Sequence, residues 1–188
     1  NDSESILEAI GAHFPKRMLQ WHYRSRHESL IDFSNRHFYD SELVRFPSAW
    51  SQSDEFGIKF THVTNGVFVS GVNNEEAKSI VEAIKHHFIY HTDESLGVVA
   101  MNSKQRELIE AVLETKRAHD AELDAALKND SKNLDPLFIK NLENVQGDER
   151  DVIIISFTYG PNSRGSNSVP QRFGPITNEQ GWRRLNVL

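Results

Sequence analysis

Gln146, Gly147 and Glu149 share a short polar turn, and the segment that follows it, Asp151 to Phe157, is a run of branched apolar residues. In that pattern the glycine lets backbone approach a ligand closely, while Gln146 and Glu149 offer hydrogen bonds to it. The alternative is a solvated loop ahead of a core strand. A second grouping, Asn102, Ser103 and Gln105, follows the apolar run Leu96 to Met101 and opens a helix. Ligands of parallel α/β sheets bind beyond the carboxyl ends of the strands, so these three side chains are expected where a ligand would sit. Ser103 read by itself is also a plain helix N-cap.

Other groupings carry less chemistry. His87 and His91 have the i,i+4 spacing that can hold a metal, but no third ligand accompanies them, so they read as a solvated helix end and no metal site is assigned. Asp148, Glu149 and Asp151 could serve a stand-alone hydrolase, yet no nucleophile or paired histidine supports them. Arg24, read in isolation, is a surface arginine paired with a carboxylate. There is no GxxxxGK[ST] sequence and no Gly-Lys dipeptide, so the loop that cradles nucleotide phosphates is lacking. Thr92-Asp93-Glu94-Ser95 precedes an apolar strand, which is the wrong place for a magnesium-binding Asp-Glu pair.

The elements needed to position these groups can be read from periodicity. Asp151 to Phe157 is predicted to be a strand buried on both faces, with the polar turn at its N-terminal edge. Leu96 to Met101 is a second buried strand, followed by a helix carrying Leu108, Ile109, Val112 and Leu113 on one side. Asn74 is expected to cap a helix with the stripe Ala77, Ile80, Val81, Ile84 and Phe88, Glu75 and Glu76 lying in its first turn. Earlier, Ser5 to Phe14 reads as a short amphipathic helix, Arg17 to Trp21 as a strand and Glu28 to Tyr39 as a helix with Leu30, Ile31, Ser34 and Phe38 inward. Ile58 to Val63 alternates like a strand. Ala118 to Asp135 is expected to be a solvated extension, Phe138 to Glu143 a strand, and Gly160 to Gly181 a long exposed loop bearing Arg164 and Arg172.

With 188 residues and 38% apolar content the chain can bury a sheet between helices. It has no apolar window long enough to span a membrane, and no cysteine for disulfides or thiolate metal sites, which is compatible with a cytoplasmic location. A net charge of −6 argues against coating by nucleic acid through bulk charge, so any such contact must be local. Both ends read as cut from a longer protein, because the chain starts at Asn1 and stops at Leu188 within a predicted helix.

The stretch VQGDERDVIIIS, from Val145, resembles motif V of superfamily 1 helicases, in the AAA-type branch that includes the helicase of nonsense-mediated decay. HYRSRHESLIDFSNRHFY from His22, GVVAMNSKQRELI from Gly97 and GWRRLNVL from Gly181 resemble further motifs in the family's order. The resemblance implies an α/β, RecA-like (P-loop NTPase-type) three-layer domain with a mostly parallel central sheet that lacks the phosphate loop. Residues 1–188 would be the second motor domain, truncated within motif VI, with 1–14 connecting it to a first motor domain. It further implies that Arg24 is an arginine finger reaching the terminal phosphate of ATP. Gly147 and Glu149 would face the nucleotide, and Asn102, Ser103, Gln105 and Gln146 would grip single-stranded DNA or RNA. Arg183 and Arg184 open motif VI on the nucleotide side, but the Thr-Arg-Ala sequence whose arginine makes the second phosphate contact is missing. ATP and Mg2+ would be held mainly by the first domain and not by this fragment alone. The rival reading is a non-catalytic nucleic-acid-binding or scaffold module with a degenerate helicase fold.

Overall fold

The structure, a computed structural model, describes residues 6–11, 13–15, 17–49, 56–166, 168–169, 171, 173–177, 181, 184 and 186. The chain divides into two compact units, Asn1–Phe60 and Thr61–Leu188.

The first unit contains α1 (Ile6–Gly11), β1 (Trp21–His22), α2 (Ser29–Phe38) and β2 (Val44–Arg45). Of the predicted strand Arg17 to Trp21 only Trp21 falls in β1, where it lies opposite Val44 in a parallel pair that His22 and Arg45 extend. The bend between α2 and β2 turns on Asn35. Its buried amide donates to the Leu43 carbonyl at 3.1 Å and accepts the Leu43 N–H at 3.0 Å, which fixes the left-handed residues Asp40 and Ser41 between them. Arg45 also pairs with Asp32 across this bend.

The second unit begins with a hairpin, β3 (Phe68–Val69) and β4 (Val72–Asn73), and continues through α3 (Asn74–Tyr90), β5 (Leu96–Ala100) and α4 (Ser103–Arg117). It then adds α5 (Ala121–Asp130), β6 (Phe138–Asn141), β7 (Val152–Ser156) and a 3-10 turn at Gly174–Thr177. Strands β6, β5 and β7 lie side by side, all parallel, with Ala100 opposite both Asn141 and Ser156. This is a mixed α/β fold with a parallel sheet of the RecA-like kind. β5 is central and wholly buried, as its unbroken apolar run predicts. Leu96, Val98 and Ala100 face Ala77, Ile80, Val81 and Ile84 of α3, Ile109 and Leu113 of α4 and Leu123 of α5. Each fully buried Leu, Ile or Val contributes about 1.5–3 kcal/mol.

Several expectations need correction. β7 is not buried on both faces: Val152 and Ile154 join the core, whereas Ile153, Ile155 and Phe157 are exposed, because β7 pairs only with β5 among the described residues. The helices α3, α4 and α5 pack against the face of the sheet that carries Leu96, Val98 and Ala100. Ile58 to Val63 forms no strand. Part of the stretch expected to be solvated is α5. Asp120 caps it by accepting the Leu123 N–H at 3.1 Å, and Leu123 and Leu127 reach the core. α5 is tied to its neighbours by Lys85–Asp120 and Arg117–Asp124 at 2.5 and 2.6 Å. The cap of α3 is Asn73, one residue earlier than expected. His87 is buried, not solvated, and its Nε2 meets the Glu94 carbonyl at 2.7 Å, which ties the end of α3 to the entry of β5. Among the described residues no group of three or more His, Cys, Asp or Glu side chains could hold a metal, and no helix is long and apolar enough to cross a membrane.

Candidate functional site

Because β5, β6 and β7 are parallel and in register, the segments that leave their carboxyl ends start from one edge. There α4 begins. Asn102 is its N-cap, accepting the Gln105 N–H at 2.9 Å, so Ser103 is the first helical residue and not the cap. Such a cap contributes about 1 kcal/mol. The Ser103 hydroxyl instead accepts from the Asn141 amide at 2.8 Å, joining the start of α4 to the end of β6. Asn102 is half-buried and Ser103 exposed, which leaves the first turn of α4 with backbone donors toward solvent.

Gln105 occupies a different position from the one expected. It is fully buried, its Oε1 accepting the Asn73 N–H at 2.8 Å and its Nε2 donating to the Asn73 carbonyl at 3.1 Å. A side chain so enclosed positions backbone and does not touch a ligand in this conformation. Asn73 accepts the Glu76 N–H at 3.2 Å, and its amide donates to the Thr158 carbonyl at 3.3 Å. Sequence reasoning passed over Glu76 as a helix-dipole residue, although Asn73-x-x-Glu76 has the spacing of a capping box. Gln105 has taken the Asn73 N–H that Glu76 would bind in such a box. The Glu76 carboxylate, thereby free to turn outward, accepts the Thr158 N–H at 2.9 Å and the Ser156 hydroxyl at 3.0 Å.

Thr158 is fully buried with a φ of 68°, and the Tyr159 N–H donates to the Phe157 carbonyl across it at 2.7 Å. A tight turn centred on a β-branched residue with positive φ is strained by about 1–3 kcal/mol. Tyr159 follows, making edge-to-face contacts with Phe68, Phe157 and Phe173. Burial pushes its phenol above the ordinary range, opposed by a hydrogen bond with the Asn102 side chain.

The polar turn of motif V leads into the N-terminal edge of β7, as predicted. It leaves the carboxyl end of β6, where the Leu142 N–H bonds the Ala100 carbonyl, and doubles back along β6 toward the start of β7. Asp148 pairs with Lys140 at 2.6 Å on the way. Arg150 donates to the Pro136 carbonyl at 2.8 and 3.2 Å and lies over the Phe138 ring at 4.8 Å. Phe138 in turn covers Gly97, where a Cβ would meet the ring at 2.4 Å. Asp151 accepts from the Ser95 N–H and hydroxyl at 3.0 and 2.8 Å, so it anchors the entry of β7 and is no candidate for hydrolysis. Gln146 and Glu149 are exposed between these anchors. Gly147 has a φ of 91° with open space around its missing Cβ, so its requirement is conformational and not steric.

The remaining nucleotide-side candidates divide. Arg184 follows a turn closed by its N–H on the Gly181 carbonyl at 3.1 Å and pairs with Glu143 at 3.5 Å, at the head of the motif V loop. Arg183 lies outside the described residues. In the first unit Tyr23 and Arg24 are exposed on a turn that His22 pins, its Nε2 meeting the Ser25 hydroxyl at 2.7 Å and the Ser25 N–H at 3.2 Å. Burial holds His22 below the ordinary imidazole value.

A protein family described as an AAA domain matches residues 3–188. The chain belongs to this AAA-domain family. With its motifs in order, it is a superfamily 1 helicase-type domain. It is 35% identical over 171 residues to the uncharacterized ATP-dependent helicase MG140 of Mycoplasma genitalium, covering 90% of this chain. The homologous protein of Mycoplasma pneumoniae is 35% identical over 173 residues, again over 90% of this chain. The chain spans about 15% of the length of each of these curated relatives. No solved structure matches it.

Proposed function

We propose that this AAA-family domain is the second motor domain of an ATP-dependent DNA or RNA helicase. The observation that carries the reading is the ordered set of motifs from Tyr23 to Arg184 in a chain whose relatives are named ATP-dependent helicases. A first RecA-like domain of the same chain binds ATP and Mg2+, and this domain closes onto it. Arg24, held outward by the His22 turn, stabilises charge on the terminal phosphate, while Gly147, Glu149 and the start of motif VI at Arg183 and Arg184 complete the nucleotide side. Single-stranded nucleic acid is gripped at Asn102, Ser103 and Gln146, through backbone and polar side-chain contacts that do not read sequence. The setting is cytoplasmic.

Phosphoryl transfer depends on positioning and charge stabilisation, so an arginine delivered only on closure couples hydrolysis to the relative motion of the two domains. Arg24→Ala in the full-length protein tests this. Nucleic-acid-stimulated ATP turnover is expected to fall by about 10³–10⁵ at an unchanged melting temperature. A lowered melting temperature with near-normal turnover would make Arg24 structural and remove the finger from the proposal.

A further inference from the structure

The end of β7 is held by more side chains than a strand terminus needs. Glu76 reaches from the first turn of α3 to accept both the Ser156 hydroxyl and the Thr158 N–H. Asn73 grips the Thr158 carbonyl, and Gln105 grips Asn73. Both sides of the Thr158 residue are thus fixed from α3 and its cap. The Thr158 hydroxyl closes the group by donating to the Ser156 carbonyl at 3.3 Å.

A strained conformation persists only where its surroundings over-determine it, and such residues cluster where geometry serves a ligand. A glycine at position 158 would satisfy the backbone without strain. The threonine there buries its hydroxyl in the same network, and Asn73, which holds the Thr158 carbonyl, is clasped by Gln105, whose N–H is accepted by Asn102, the residue that caps α4. The segments leaving β5 and β7 therefore share one set of hydrogen bonds, with the Glu76 carboxylate at its centre.

We infer that Glu76 is a positioning residue for the nucleic-acid grip: through the turn at Thr158 and the Asn73–Gln105 clasp it sets the first turn of α4. This inference rests on the proposed contact of Asn102 and Ser103 with nucleic acid. Glu76 touches no ligand itself. Its carboxylate is required as an acceptor for two donors, so an isosteric amide oxygen can replace part of its role and alanine cannot.

The test compares wild type, Glu76→Ala, Glu76→Gln and Ser156→Ala in the full-length protein. Binding of fluorescein-labelled oligo(dT) and oligo(U) is read by anisotropy, with the KM for ATP, the melting temperature and amide exchange at Thr158 measured in parallel. Glu76→Ala is expected to weaken binding of whichever oligonucleotide wild type prefers by about 10-fold, the factor for losing a charge-assisted hydrogen bond, with the KM for ATP unchanged. The Thr158 amide should exchange faster in that variant. Glu76→Gln should recover most of both effects. If Glu76→Ala fails to fold, Ser156→Ala carries the test, since it removes one of the two donors that hold the carboxylate and should weaken oligonucleotide binding with the KM for ATP unchanged. Wild-type affinity in a folded Glu76→Ala, or in Ser156→Ala, overturns the inference, as does a Thr158 amide that stays protected without the carboxylate. Wild type that binds neither oligonucleotide overturns the motor-domain reading and this inference with it, whereas wild type that binds while the variants match it overturns the inference alone.

Discussion

Gln105 closes a two-bond clasp on the backbone of Asn73, accepting its N–H at 2.8 Å and donating to its carbonyl at 3.1 Å. The clasp joins the first turn of α4 to the β4–α3 junction at a point shielded from water. Truncation to alanine would leave both Asn73 groups unsatisfied. Gln105→Ala is therefore expected to destabilise the domain by about 2–4 kcal/mol, measured by urea unfolding. Gln105→Glu keeps an acceptor but loses the donor and should fall between alanine and wild type. A Gln105→Ala protein with wild-type stability and weakened oligonucleotide binding would restore Gln105 as a direct contact.

Gly147 should tolerate asparagine better than alanine. Its φ of 91° lies in the region that L side chains avoid, while the space around it is open. Gly147→Ala is expected to cost about 1–2 kcal/mol, or to displace Gln146 and Glu149 and lower ATP turnover in the full-length protein. Asparagine enters positive φ more readily, so Gly147→Asn should lose less in both measurements. Equal and wild-type behaviour of the two variants would show that the turn is unconstrained.

Arg150, though it sits in motif V, is expected to behave as a structural residue. Its guanidinium holds the Pro136 and Glu149 carbonyls and covers Phe138. Arg150→Ala should destabilise the domain by about 1–3 kcal/mol while the folded protein keeps its KM for ATP. Lysine lacks the planar fork and should rescue only part of the loss. A raised KM for ATP at unchanged stability would instead move Arg150 to the nucleotide.

The Arg24 turn should weaken in acid. His22 has its pKa lowered by burial, so the folded protein favours the neutral ring. The stability this contributes is present above the ordinary imidazole value of about 6.5 and is lost as the pH falls through the lower folded value. Nucleic-acid-stimulated turnover in the full-length protein is expected to show an acid limb below pH of about 6.5 that becomes shallower in His22→Gln. An identical limb in that variant would assign it to another group.

The paired carboxylates of α5 act in a lower range. Asp120 and Asp124 are held below the usual carboxylate values, first by hydrogen bonds from Lys85 and Lys128 respectively. Their contribution is present above the ordinary carboxylate value and lost as the pH falls through the lower folded value. Asp120→Asn should flatten the acid end of a thermal-unfolding profile and leave the neutral region little changed, apart from the Lys85 contact. A profile unchanged at the acid end would show that this pair does not contribute.

Local pattern was sufficient to read β5, since an unbroken run from Leu96 to Ala100 has no alternative to burial on both faces. It also revealed the stripe of α3, the start of α4 and the helix Ser29–Phe38 to within a residue, because a 3.6-residue period is a property of adjacent positions. The same reasoning misjudged β7, whose composition resembles β5 but whose exposure depends on which strands flank it. Gln105, His87 and Glu76 were misread for a related reason. A polar side chain near a helix end looks solvated until the partners that enclose it are known, and those partners lie 32 positions away for Gln105 and 82 for the Glu76–Thr158 bond. The sequence by itself determined the motifs, their order and the elements that carry them, through residue type and local spacing. Only the tertiary structure decided which polar groups are left exposed and which are consumed in holding backbone, because that choice is made by contacts between residues distant along the chain.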